Sequence, residues 1–412
     1  MRWLFREPAV HVALVPPEEE EAFLHIICQS FNVDLPTARP YFYDDPYYPH
    51  NQRWGLWVEE SGRRRLVSVL TAVPLQMWIG ERAVPLMGIA GVATHPAYRR
   101  RGYATHLLRQ AAETLREQAV PVAVLQAFDH NFYRRLGWET VGTLARLRIE
   151  PSRLPAYLIT GVRRAESADY EALIALHRQL APRKTGMLVR DDLRWDYLLW
   201  NFRNKWVFEH AGAIEGYLIH DYLEGGWVLR VREFLWRTER ARRALLGWLA
   251  RNGDHVRQIE FAGTLSELQA LGIIPLSERH SQPEEPLARY ELLAGFMARL
   301  LDTQRLLETL LHDQPAPEGF QPFCLRVQDR FRDTSELVVV GESEGRLRVS
   351  RAESAIESVR VPIEALTQMV FGAQPATEIA LRRRLAIPEE TLRLLESLFP
   401  PREPCLRPMD FF

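Results

Sequence analysis

The spacing of apolar residues changes period repeatedly along the first 150 positions. Phe23, Leu24, Ile26, Ile27 and Phe31 recur as one face of a helix. Pro16-Pro17 followed by Glu18 to Glu21 supplies its start, because acidic side chains suit the positive end of a helix dipole. Residues 40–49 show no period and are rich in aromatics, proline and acid, which predicts a loop. Its rings either cover core edges or wall a site that holds a cationic amine. Extended runs follow at 53–58, 66–73 and 75–79, and Ile79-Gly80-Glu81-Arg82 turns the chain into another at 85–93. Leu107, Leu108, Ala111, Ala112 and Leu115 return to helical spacing, and 120–125 is again extended. Asn131 to Trp138 reads as a short helix ending at Gly137, so a strand, helix, strand unit lies within a meander.

Prolines at 151 and 155 mark an exit, and from about Gly161 the order begins again. Helices at 169–180 and 193–200 precede strands at 206–209, 212–222 and 227–236, and a helix at 239–251 follows. After Pro283-Glu284-Glu285-Pro286 the texture changes. A strand at 296–302 enters a capped helix carrying Leu306, Leu307, Leu310 and Leu311, followed by strands at 323–327, 336–340 and 346–350 and helices from Pro362 and at 389–399. The expected fold class is α/β (α+β) in three domains, at 1–150, 151–285 and 286–412.

Composition narrows the classes. A chain of 412 residues, 47% hydrophobic, exceeds one ordinary core. A formal net charge of −1 argues against a global nucleic-acid or membrane-surface role. Cys28, Cys324 and Cys405 stand far apart with no C-x-x-C pair, so no thiolate metal site is expected and a reducing cytoplasm fits. The N-terminal residues show no apolar signal region, and 12–15 is too short to span a bilayer.

The chemistry concentrates in residues 91–104. Small apolar positions Gly91, Val92 and Ala93 lead to His95-Pro96, then to Arg99, Arg100, Arg101 and Gly102, and a helix begins at Tyr103 and Ala104. Free amides at that start, the helix dipole and three guanidinium groups form a cradle for a diphosphate, and Gly102 lets the backbone approach it closely. Arg99-x-x-Gly102-x-Ala104 resembles the acyl-CoA pyrophosphate motif of GNAT N-acetyltransferases, and Phe132-Tyr133-Arg134-Arg135-Leu136-Gly137-Trp138 resembles their later aromatic segment. The corresponding turn of the second copy, Leu235 to Arg242, has no glycine and carries Glu239, so that domain is expected to bind no cofactor. The full chain resembles the Eis family of bacterial acetyltransferases, which fuse two GNAT-like regions to a sterol-carrier-protein-like domain. Further pieces of that resemblance are Met297-x-Arg299-Leu300-x-Asp302, Leu366 to Gly372 and the acidic, phenylalanine-ending terminus.

The resemblance implies acetyl-CoA as co-substrate, no metal, an amine acceptor such as an aminoglycoside, polyamine or lysine side chain, and a hexamer. It implies that Tyr133 is the general acid and that the carboxylate of Phe412 is the base. An α-carboxylate near pKa 3.5 is a weak base for an ammonium, so burial or a water relay must assist it. His95, His106 and His130 lie near the motif, and His130 stands closest to Tyr133 in sequence. Candidates to line a cationic pocket are Asp34, Asp129 and Asp410, with Asp44 and Asp45 in the aromatic loop. Phe128-Asp129-His130-Asn131 departs from the small, glycine-rich residues common in the family, which narrows the expected acceptor range. The alternative reading is a non-enzymatic acyl-CoA or lipid-binding scaffold.

Overall fold

The structure, a computed structural model, describes residues 9–43, 50–273, 290–352 and 357–412. In chain order the first elements are β1 (Val10–Leu14), α1 (Glu20–Phe31), α2 (Leu35–Phe42), β2 (Gln52–Glu60), β3 (Arg63–Ile79), β4 (Arg82–Thr94), α3 (Tyr103–Glu117), β5 (Val122–Leu125), α4 (His130–Arg134), β6 (Glu139–Thr140) and β7 (Thr143–Ile149). Next come β8 (Val162–Arg164), α5 (Tyr170–Leu180), α6 (Asp192–Asn201), β9 (Asn204–His210), β10 (Ala213–Leu223), β11 (Val228–Trp236), α7 (Glu239–Ala250), β12 (Gln258–Gly263) and α8 (Leu265–Ala270). The remainder is β13 (Tyr290–Ala294), β14 (Met297–Leu300), α9 (Thr303–Leu311), β15 (Phe323–Asp329), β16 (Thr334–Ser343), β17 (Arg346–Arg351), β18 (Val359–Pro362), α10 (Ile363–Phe371), α11 (Ala376–Arg383) and α12 (Glu389–Leu398).

Among the described residues, these strands form sheets ordered β1-β2-β3-β4-β5-β14-β6, β13-β7-β12-β11-β10-β9-β8 and β17-β16-β15-β18. The first two share one plan, in which antiparallel strands lead to a parallel pair joined by a helical crossover. In the first sheet the crossover is α3 between β4 and β5, and in the second it is α7 between β11 and β12. α3 is held by its apolar stripe. Leu107, Leu108, Ala111 and Leu115 are buried against Leu70, Met87 and Ile89 of the sheet, and each leucine contributes about 1.5–3 kcal/mol.

The sheets do not divide where the sequence divides. β7, expected in the first domain, lies inside the second sheet between β13 and β12. β14, expected in the third, pairs with both β5 and β6 in the first sheet, while β13 is an edge of the second. The chain therefore exchanges strands between neighbouring sheets, and Gly142 and Gly295 allow the crossing. An added Cβ on Gly295 would lie 2.7 Å from the Gly142 backbone. One apolar core runs from Val84, Leu86 and Val124 of the first sheet into Leu306, Leu366, Val370 and Phe371 of the third unit.

Two local readings are corrected. The extended runs at 66–73 and 75–79 are one strand, β3, because pairing to β2 ends at Ala72, so Pro74 leaves no β2 partner without an N–H donor. Pro40, Tyr41 and Phe42 close helix α2 instead of opening a loop, since Asp34 caps that helix and Arg53 donates to the Phe42 carbonyl at its end. Asp44 and Asp45, with the rest of 44–49, lie outside the described residues, as does the proline-glutamate segment at 283–286.

Candidate active site

The site is organised by a divergence of two strands. β4 pairs in parallel with β5 at Met87, Gly88 and Ile89, yet it runs on to Thr94 while β5 ends at Leu125. Against β3, the β4 residues Gly91 and Val92 form a bulge between Ala90 and Ala93, which bends the strand and increases its twist. The two strands thus open beyond Ile89, and the backbone of Gly91, Val92 and Ala93 runs along the opened edge. Gly91 has φ +58°, and an added Cβ would meet the Phe42 ring at 2.5 Å, so α2 closes directly over it.

At the wide end stands the start of α3. Gly102 occupies the cap position at φ +80°, and no side chain caps the helix. A Cβ on Gly102 would meet nothing within 4 Å, so the space above this turn is open. The amides of the first turn and the dipole therefore face an unobstructed concavity, as anion binding requires. Arg99, Arg100 and Arg101 are exposed around it. Arg99 Nε donates to the Thr94 carbonyl at 3.1 Å, Arg101 lies 5.2 Å from the Tyr98 ring centre, and Arg100 has φ +62°. Tyr103 is corrected in one respect. Its ring is buried in the core beside Tyr98, so its backbone but not its side chain faces the concavity. Ala104 sits in the same turn. His95 is a turn residue whose Nδ1 accepts from the Ala97 amide.

The equivalent helix of the second sheet differs at each of these points. The Thr238 hydroxyl caps α7 by accepting from the Ala241 amide, and Glu239 in its first turn pairs with Arg242 and Arg243. A cap and a carboxylate occupy the ground left open at α3.

Tyr133 lies on α4, just after β5, in the same apolar cluster as Met87, Ile89 and Leu125. Rings of Phe132, Phe128 and Trp138 surround it with centres at 5.0, 5.5 and 6.2 Å. It is 2% exposed, and burial pushes its hydroxyl well above the ordinary phenol range, which keeps it protonated. Arg299 of β14 braces this segment from below, donating to the Leu136 carbonyl and to Asp329, each at 2.6 Å. His130 is tied through Nδ1 to Thr140 Oγ1 at 2.7 Å, and burial pulls its pKa down.

The tail reaches the same strand. The ring of Phe412 lies on Gly88, where an added Cβ would come within 2.4 Å of it. Tyr133 and Phe412 thus flank β4 at neighbouring positions on opposite faces: Met87 and Ile89 lie in the Tyr133 cluster, whereas Phe412 packs against the core that holds Val84 and Leu86 and covers Gly88. Gly88 was not singled out from sequence, although a glycine inside a strand pattern signals close approach of another group.

The candidate acceptor carboxylates are not brought together. Asp34 is exposed and caps α2, where its bonds to Thr37 hold its pKa below the usual carboxylate range. Asp129 is exposed and caps α4 by accepting from the Asn131 and Phe132 amides. Asp410 is corrected: it is fully buried and its Oδ1 meets Arg190 Nε at 2.7 Å, so it anchors the tail and presents no oxygen to an acceptor.

Three stretches of the chain match known domain families. Residues 11–141 match an acetyltransferase (GNAT) domain, residues 186–284 match another acetyltransferase (GNAT) domain, and residues 305–407 match a sterol carrier protein domain. The N-acetyltransferase Eis of Mycobacterium bovis is 25% identical over 379 residues, which is 86% of each chain. An uncharacterized N-acetyltransferase of Streptomyces coelicolor is 27% identical over 143 residues, 33% of this chain and 35% of that one. The crystal structure of a GCN5-related N-acetyltransferase from Anabaena variabilis superposes with a TM-score of 0.80 at 18% identity, over 98% of this chain and 100% of that one. At that identity the likeness concerns the fold.

Proposed function

We propose, for a chain that is an N-acetyltransferase with the GNAT, GNAT and sterol-carrier-protein arrangement of the Eis family, that it moves an acetyl group from acetyl-CoA to a primary amine of a cationic acceptor. The observation that carries this reading is an uncapped helix start at Gly102 beside the β4 edge that opens beyond Ile89, with Tyr133 and Phe412 packed on either face of β4 just before that opening. The diphosphate of the co-substrate fits the amides of Tyr103 and Ala104, with Arg99, Arg100 and Arg101 adding positive charge. Its pantetheine arm follows Gly91, Val92 and Ala93.

The amine nitrogen bonds to the thioester carbon as the carbon–sulfur bond breaks. Tyr133 supplies the proton taken up by the sulfur, and the carboxylate of Phe412 accepts the proton lost by the amine. A deeply buried phenol is a weak acid, but the same desolvation raises the proton affinity of a thiolate beside it, so the transfer stays matched. Asp410 is engaged by Arg190, so of the two acidic groups at the end of the tail the α-carboxylate is the one assigned to accept the proton. Asp34 and Asp129 are exposed at the starts of α2 and α4, where each caps its own helix, so the carboxylates that meet a cationic acceptor are not assigned by their placement.

The test is acetyl-CoA turnover against polyamines, aminoglycosides and lysine peptides, for the native chain, a chain extended by two residues past Phe412, and Tyr133→Phe. The extension and the substitution each lower kcat by about 10²-fold or more. Turnover that survives the extension removes Phe412 as base, and full activity of Tyr133→Phe removes the acid.

A further inference from the structure

The second sheet repeats the strand divergence of the first. β11 and β12 pair in parallel over Val228 to Arg230 and Gln258 to Glu260, while β11 continues to Trp236 and β12 to Gly263. In the first sheet such an opening admits the co-substrate. In the second, the side chain of Arg407 from the chain's own tail reaches the opening between β11 and β12, and we infer that this disused cofactor cleft, with the sheet face beside it, is the receptor that positions the C-terminal residue in the active site of the first. This inference rests on the reading of Phe412 given above.

Contacts along the whole tail carry it. Arg407 enters beside Gly263, where an added Cβ would lie 2.9 Å from its Nη1. There it pairs with Glu267 of α8, which also pairs with Lys184. Burial alone would raise the Glu267 pKa, but Arg407 and Lys184 hold it far below the carboxylate range, so the cluster stays charged. Three residues later Asp410 meets Arg190, whose other nitrogens bond Glu233 of β11 at 2.7 and 2.9 Å. Tyr217 donates to the same carboxylate at 2.7 Å, and Arg190 and Asp410 have fully buried side chains. The backbone is held as well. Cys405 N donates to the Thr185 carbonyl at 3.0 Å, Arg232 Nη1 to the Pro408 carbonyl at 3.5 Å and Arg194 Nη2 to the Phe411 carbonyl at 3.2 Å.

Met409 completes the seat inside the apolar cluster of Leu173, Trp195 and Tyr217. Elements of the second unit thus hold the tail at 405 and from 407 to 411, and Phe412 is delivered to Gly88 of the first sheet. The seat is also fastened to the first sheet. Residues 186–189 bond to Gln76 and Trp78 of β3, with Val189 N donating to the Gln76 carbonyl at 2.8 Å and Trp78 N to the Met187 carbonyl at 2.9 Å. A receptor built this way fixes the position of Phe412 relative to β4, and Arg407, Glu267 and Arg190 act as positioning residues at a distance from the chemistry.

The test uses the full chain with Arg407→Met, Arg190→Met and Gly263→Ala, the last a wedge that changes no charge. Hydrogen exchange of the 404–412 segment is followed beside that of β10 and α7, with kcat and the acetyl-CoA KM measured on the same samples. The expected result is loss of tail protection with β10 and α7 unchanged, a kcat lower by roughly 10- to 100-fold, and a KM within about twofold. Should Arg407→Met also open β10 and α7, Arg407→Lys and Gly263→Ala decide by the same criterion. Wild-type tail protection in all variants overturns the receptor. Lost protection with intact kcat keeps the receptor and removes Phe412 as base. Retained protection in these variants, with kcat lost on extending the chain, keeps the base and removes the receptor.

Discussion

Gly88→Ala isolates the contact between the tail and the first sheet. The alanine Cβ would stand 2.4 Å from one carbon of the Phe412 ring and 2.7 Å from two others, against ordinary contact at 3.4 Å or more. Gly88 has no left-handed φ, so the strand itself accepts alanine. The ring must therefore retreat by about 1 Å, and it is free to do so because it ends the chain. A displacement of that size at a reacting group costs roughly 10²-fold in rate, or about 2.7 kcal/mol of barrier. Stability changes little, since alanine gains roughly 0.5–1 kcal/mol over glycine in a strand and offsets part of the lost packing. The assay is steady-state acetyl transfer with thermal unfolding on the same protein. The predicted signature is kcat down by roughly 10²-fold, acetyl-CoA KM unchanged, and a midpoint within about 4 °C of the parent. Adding Phe412→Ala to Gly88→Ala removes the collision and restores at least part of kcat. A kcat within twofold of the parent in Gly88→Ala, with the fold intact, would falsify a placement-sensitive role for the tail.

Gly102→Ala places a side chain at φ +80° in open space, so the cost is conformational, about 1–2 kcal/mol, and no clash adds to it. Acetyl-CoA KM should rise more than kcat falls, with Gly102→Asn milder, as titration by calorimetry would show. Arg299→Met leaves buried Asp329 without its arginine and should destabilise by roughly 3–5 kcal/mol; denaturant unfolding measures this, and a loss under 1 kcal/mol would remove the brace under α4. Glu267, whose folded pKa is depressed, contributes stability that is fully present above its unfolded value of about 4.3 and is lost as pH falls toward the folded value. Unfolding midpoints should therefore decline below about pH 4.3, and Glu267→Gln should flatten that decline while lowering the neutral-pH plateau.

The sequence by itself determined the elements that rest on local chemistry. Periodicity located α3 and its buried leucines, Gly102 marked a backbone position that side chains avoid, and the order of aromatic and glycine residues placed Tyr133 after β5. These features depend on neighbours within a few residues, so the linear pattern contains them. The tertiary structure decided which distant residues share an environment. Asp410 looked like a pocket carboxylate because the acidic, phenylalanine-ending terminus resembles that of the family, and only the fold brings Arg190 against it across 220 positions. β7, β13 and β14 changed sheets because an extended apolar run carries no record of which edge it will pair with. Gly88, Gly263 and Gly142 carried no record of what approaches them, since the reason for each is a ring, a guanidinium or a carbonyl arriving from elsewhere in the chain.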